Sequence, residues 1–212
     1  MATGPGASPA NPLVDRVKNI LMQPKAEWPR IDAEPSTIAG IYRNYVVILA
    51  AIPPVAMLIG LMLLGGAFVY LPVSFLVGQA VLSYVLTLAG VYVIALIIDA
   101  LAPTFGGTRN QISAFKLAAY SMTPFWVAGI LFLIPFLGIF ALLAAVYGCY
   151  LLYLGLPVLM KPPADKVLAY TIVAILASII VLFVINTVTS RVIYAMMPAP
   201  PAATITINAP TS

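Results

Sequence analysis

Histidine is absent from the 212 residues, and cysteine occurs once, as Cys149. The first absence removes the commonest general base and the commonest zinc and haem ligand. The second excludes an internal disulfide and a thiolate metal cluster. A lone cysteine inside an apolar stretch reads as a small buried residue. Charge is scarce as well, at 8% of residues, where soluble domains carry about a quarter. Only six residues are acids, and four of them, Asp15, Glu27, Asp32 and Glu34, precede the first long apolar run. No Ser–His–Asp or Cys–His arrangement can therefore be built. A two-aspartate site at membrane depth lacks its second member, because Asp99 has no acidic neighbour in the apolar segments. Gly106–Gly107 is a lone pair, without the strand and the spaced lysine of a phosphate-binding loop. The sequence predicts no enzyme, no cofactor and no metal site.

What the chain has in quantity is apolar side chain, 63% of all residues. A soluble core at this length could not hide so much, whereas a bilayer accepts it, lipid acting as solvent for the outer faces. A spanning helix needs about 20 apolar residues, and the sequence supplies five such stretches, at about 45–64, 74–98, 117–134, 137–159 and 167–189. Pro53 and Pro54 fall inside the first and should kink it. Gly65–Gly66 open a turn, Pro103 and Gly106–Gly107 break the chain after the second stretch, and Pro135 with Gly138 divides the run 117–160 into two. Residues 161–166 (KPPADK) form a tight polar turn. The predicted fold is an all-α membrane protein, a five-transmembrane-helix bundle with an N-terminal amphipathic helix.

Three parts follow: an arm over residues 1–44, the membrane domain over 45–190, and a Pro- and Ala-rich tail over 191–212 that reads as disordered. Residues 1–10 lack the basic start and apolar core of a signal peptide and also read as disordered. Asn11 is placed to cap a helix starting at Pro12. Over residues 12–22, Leu13, Val17, Ile20 and Leu21 share one face, with Asp15, Arg16, Lys18 and Asn19 opposite. Such a helix can lie in the headgroup layer with Trp28 as an interfacial anchor, or it can pack on the bundle. Residues 23–44 read as a surface connector.

Charge sets the orientation. Arg16, Lys18, Lys25, Arg30 and Arg43 in the arm, Arg109 and Lys116 in the second-to-third connection, and Lys161 and Lys166 in the fourth-to-fifth turn fall on one side of a five-span protein. Arg191 stands alone on the other. By the positive-inside rule the N-terminus is cytoplasmic and the C-terminus extracytoplasmic. The net charge of +4 serves orientation. With no basic run or aromatic-interleaved basic patch, nucleic acid is not an expected partner.

A few residues invite a functional reading. Asp99 is an acid at a membrane boundary, with Arg109 and Lys116 as available cations; it also reads as a helix end meeting water. Gln79, Ser83, Thr87 and Gly90 form a polar-to-small stripe that would either line a solute path or hold helices together. Ala141, Ala145 and Cys149, with Ala144 and Gly148 beside them, form a small-residue face suited to tight helix contact. Tyr147, Tyr150 and Tyr153 fall near the cytoplasmic half of the fourth span, where at least Tyr153 reads as an interfacial anchor, and Asn186 and Ser190 read as hydrogen-bonding groups across helices.

The stretch Thr104–Phe105–Gly106–Gly107, then Phe115–Lys116–Leu117, Ala119–Tyr120–Ser121 and Pro124, resembles the Yip family of five-span membrane proteins. In that family the third span typically opens with a Gly/Ala–Tyr pair followed four residues later by proline, here Tyr120 and Pro124. Tyr153–Leu154–Gly155–Leu156–Pro157 through Lys161, with Asp165–Lys166 and Tyr170–Thr171, is similar to the bacterial branch, as are Arg16 to Leu21 and Glu27–Trp28. The resemblance covers roughly residues 13–190. It implies five spans, a cytosolic arm and a short tail on the far side. Eukaryotic members bind Rab GTPases and usually carry Asp-Leu-Tyr-Gly-Pro before the first span. This chain has Ile41–Tyr42–Arg43–Asn44 there, so the Rab-linked role does not carry over.

The expected function is a non-enzymatic membrane scaffold or adaptor, or an accessory subunit of a membrane complex, with membrane lipids, a protein partner and a second copy of the chain as expected contacts. The competing reading is a small-solute or lipid transporter using the Gln79–Ser83–Thr87 stripe.

Overall fold

A computed structural model describes residues 12–64 and 72–195. The expectations for the two tails, for Asn11 as a cap and for the Gly65–Gly66 turn fall outside these residues. Every regular element among the described residues is helical. Two short helices, α1 (Pro12–Met22) and α2 (Pro24–Ala33), make the arm. Five long apolar helical segments follow: Ile38–Leu64, Val73–Phe105, Gln111–Leu133, Phe136–Leu159 and Ala164–Ala195. They are called the first to fifth spans below.

All five expected spans are present, but several start earlier or end later than the apolar runs, because caps rather than hydrophobicity fix helix ends. The first begins at Ile38, where Thr37 in extended conformation accepts a hydrogen bond from Gly40 N at 3.0 Å. The third begins at Gln111, where the Asn110 side chain accepts from Ser113 N at 3.0 Å. Both are side-chain N-caps that satisfy donors the helix leaves free. The fifth continues past Arg191 to Ala195. Residues 23–44, read from the sequence as a connector, hold α2 and the opening turns of the first span. Pro24 stands at the first helical position of α2, where a missing N–H costs nothing.

The predicted breaks lie where proline and glycine put them. The first span is interrupted at Ala50–Ala51, just before Pro53 and Pro54 enter its second helix, Ile52–Leu64. The second span tightens into a 3-10 turn over Ala102–Phe105 and ends at Gly106, whose φ of 71° is left-handed. The third and fourth spans meet through the 3-10 turns Gly129–Leu133 and Pro135–Phe140.

The third span is the centre of the bundle. Over its most apolar stretch 56% is buried, against 17% for the fourth and fifth spans. It touches the arm and the first, second and fourth spans, and the second span packs along the fifth. Large apolar side chains such as Leu143, Ile180 and Phe183 point outward. So much exposed hydrocarbon has no place in water and matches a bilayer environment.

Candidate functional site

The arm is seated on the bundle. The inner face of α1, with Ile20 fully buried and Leu13, Val17 and Leu21 packed on the core, is the apolar stripe read from the sequence. The chain turns at Gln23, and α2 then directs Glu27, Trp28 and Ile31 inward. Trp28 is 1% exposed. Of the two positions open to it from the sequence, membrane-interface anchor or packing residue, it holds the second. Its indole lies against Gly155 of the fourth span and Leu117 of the third, so closely that a Cβ on Gly155 would stand 2.6 Å from Trp28 Cε2. Tyr120 meets it edge-on at 6.5 Å. The indole Nε1 is buried without a partner among the described residues.

A polar cluster fastens this seat. Lys116, 5% exposed, donates from Nζ to the carbonyls of Ile31 and Glu34, each at 2.7 Å. These carbonyls lie at the C-terminal end of α2, where acceptors are left unpaired and a cation is favoured. Arg16 of α1 donates to Glu27 Oε1 at 2.5 Å and also pairs with Glu34. Its guanidinium sits 5.8 Å over the Tyr120 ring. Burial alone would lower the Arg16 pKa, but Glu34, Tyr120 and Glu27 more than reverse this, so the group is held more firmly charged than usual. Arg30 approaches Glu27 from the other side at 3.5 Å. Tyr147 Oη donates to Leu21 O at 2.7 Å, and Lys161 pairs with Asp32 at 3.2 Å. Tyr45 and Thr123 share a hydrogen bond of 2.7 Å, with the Tyr45 ring 4.7 Å from Tyr120. Residues from the third and fourth spans thus meet the arm helices at one end of the bundle, with Tyr45 of the first span packed against Tyr120.

The residues singled out from the sequence separate into three groups. Lys116, Tyr120 and Trp28 come together in the arm seat. Pro124, buried one turn further on, opens the helical segment Thr123–Ala128 after the break at Met122. Asp99 lies apart with Arg109. Its Oδ2 accepts from Arg109 Nε and Nη2, both at 3.3 Å, and its Oδ1 is buried without a partner among the described residues. Of the two cations available to Asp99, Arg109 is the partner, and Lys116 turns to the arm instead. Gln79, Ser83 and Thr87 form the third group. Ser83 donates to Ala80 O at 3.0 Å and Thr87 to Ser83 O at 2.8 Å, so both hydroxyls return to their own helix. Gly90, in the same stripe, lies against Ile185 of the fifth span, a packing role. Asn186 and Ser190 also lie within one helix, 3.5 Å apart, rather than bridging two.

Arg16, Glu27, Glu34 and Tyr147 were not singled out as site residues by sequence reasoning. One sequence signal was available: Lys116 interrupts an apolar run, and a lysine in such a place requires acceptors supplied by some other segment. Among the described residues no three His, Cys, Asp or Glu side chains cluster as metal ligands. The arrangement fastens one segment to another.

Comparison with known proteins agrees with this architecture. The chain is 29% identical over 184 residues to the inner membrane protein YohC of Escherichia coli strain K12 and to YohC of strain O6:H1, covering 83% of this chain and 94% of each relative. No solved structure matches the chain significantly. The Yip1 domain model matches residues 18–185, from the middle of α1 almost to the end of the fifth span. Because that match takes in most of the arm seat, the first four spans, most of the fifth and the Lys116–Tyr120–Pro124 stretch together, the chain belongs to the Yip1 domain family.

Proposed function

We propose that this integral membrane protein is a non-enzymatic scaffold or adaptor, or an accessory subunit of a membrane complex, acting in the inner membrane through its docked arm. The observation that carries the reading is the Lys116 ammonium, buried in the third span and fixed on two arm carbonyls at 2.7 Å. A charge taken out of water for that contact makes sense if the arm must present a defined surface. The outward side of that surface carries Lys18, Lys25 and Arg30 together with exposed Val14 and Met22. A mixed basic and apolar face of this kind suits a protein partner with an acidic, partly apolar patch. The charge distribution supports an arm on the cytoplasmic side and a C-terminus on the other. The printed name of the E. coli relatives supports the inner membrane. The Ser83 and Thr87 hydroxyls turn back on their own helix, which supports packing over a solute path for that part of the stripe.

The test is purification in mild detergent with crosslinking, comparing the intact chain with Lys18→Glu/Lys25→Glu and with Lys116→Met. A discrete co-purifying protein, depleted by both variants, is the expected result. Recovery of the bare chain in all three preparations would sink the proposal.

A further inference from the structure

A second feature lies in the membrane half nearer the arm. The second, third, fourth and fifth spans enclose an apolar cavity of about 170 Å³, with Ile94, Ser121, Cys149 and Ile179 among its walls. It falls on the face of the fourth span whose small residues predicted tight helix contact. Gly148 does make that contact, against the Ser121 carbonyl, while Ala145 and Cys149 line the opening. The inner wall is buried, and the rim residues Ile179 and Leu182 of the fifth span are exposed, so the cavity opens sideways towards lipid.

Its inner wall holds an unusual hydroxyl. Ser83, Thr87, Thr171, Ser178, Thr187 and Thr189 each return a hydrogen bond to a carbonyl of their own helix. Ser121 does not. Its Oγ is buried without a partner among the described residues, on a residue 5% exposed. A buried donor left unmade is costly, and the cost is higher where no water can reach it. Ser121 lies five residues beyond Lys116 along one continuous helix, hence about 8 Å deeper at about 1.5 Å per residue. With the arm at the headgroup level, that sets Ser121 further in, on the acyl-chain side.

We propose that this cavity is a binding site for one acyl chain of a glycerophospholipid from the leaflet on the arm's side, with the Ser121 hydroxyl donating to the chain's ester carbonyl. A cavity of about 150 Å³ holds a benzene molecule, so the space takes the first several carbons of the chain. The rest leaves between Ile179 and Leu182 into the bilayer. The cavity lining supplies apolar contact for the chain, and the ester supplies the acceptor that Ser121 lacks.

The test uses the full chain in vesicles of phosphatidylethanolamine and phosphatidylglycerol, doped with a phosphatidylethanolamine bearing a photoactivatable diazirine on one acyl chain. After irradiation, labelled positions are mapped by mass spectrometry. Labelling is expected to concentrate on residues 118–125 and 145–152. It should fall about fivefold in Ser121→Ala, the effect of one hydrogen bond of about 1 kcal/mol, and further in Cys149→Phe, which fills the space. Ser121→Ala adds no atom and keeps the test decisive if Cys149→Phe misfolds. Label spread evenly over the outward faces of the fourth and fifth spans, or unchanged in Ser121→Ala, would overturn the proposal. Stronger labelling of the same residues by a diazirine fatty acid at equal mole fraction would overturn its assignment to a diacyl lipid.

Discussion

Replacing Lys116 by methionine removes the ammonium while keeping a long apolar stem in the third span. Two hydrogen bonds at 2.7 Å to Ile31 O and Glu34 O disappear. Bonds to a charged group contribute about 1.5–3 kcal/mol each, and part of that is offset because no charge has to be buried any longer. A net weakening of arm docking by about 2–4 kcal/mol results, which raises the undocked population by roughly 30- to 800-fold at about 1.4 kcal/mol per tenfold. Trp28 reports the change directly, because undocking carries the indole from a site 1% exposed into water or headgroups. Trp126, also buried, is first replaced by phenylalanine so that one indole remains. With Lys116→Met the emission of Trp28 should shift to the red, acrylamide should quench it, and trypsin should cut at Arg16, which in the docked arm is engaged by Glu27 and Glu34. Lys116→Arg should behave between the two, since a guanidinium reaches the same carbonyls with a different fork. An unshifted emission and an uncut arm in Lys116→Met would refute the claim that this lysine holds the arm.

Gly155→Ala should give the same undocked signature without touching any charge, because the new Cβ would meet the Trp28 ring at 2.6 Å and Leu117 Cδ1 at 2.7 Å; wild-type quenching in that variant would contradict the packing argument. Arg16→Met leaves the buried Glu27 carboxylate with Arg30 as its one cation among the described residues, 3.5 Å away and largely exposed, and should cost about 2–3 kcal/mol, measured by thermal unfolding in detergent. The Arg16 contribution should be flat with pH across the neutral range. Its pKa is raised in the folded state, so the stabilisation is fully present below the unfolded value and is lost only in strong alkali. Gly60→Ala should destabilise the bundle by about 1–3 kcal/mol, since its Cβ would meet the backbone oxygens of Phe132 and Leu133 at 2.6 Å, whereas Gly90→Ala meets only the mobile tip of Ile185 and should cost less. Arg109→Ala should cost about 1–3 kcal/mol, because the guanidinium itself is 65% exposed but its loss strands the Asp99 carboxylate, whose side chain is 11% exposed.

Much of the architecture follows from the order of residues alone. Five apolar stretches of about 20 residues, Pro53–Pro54, Gly106 and the Pro135–Gly138 reversal were all readable, because transfer of a segment into lipid and the φ limits of proline and glycine are local properties. The apolar stripe of α1 was readable for the same reason. Helix starts were less so: Thr37 and Asn110 are ordinary polar residues until a helix begins beside them, and the hydropathy signal is silent about caps.

What chain order left open was where the arm goes and whom each charge meets. Lys116 reaches carbonyls 82 and 85 residues away, and Tyr147 reaches one 126 residues away. No local pattern encodes such distances; they depend on how the spans pack. Asp99 had two cations within reach along the chain, and only the bundle geometry assigned Arg109 to it and Lys116 to the arm. The sequence by itself determined that the protein lives in a membrane and how often it crosses, because those free energies add up along each segment. The tertiary structure decided that α1 and α2 are held on the bundle, because that contact exists only when residues from the third and fourth spans meet at one end.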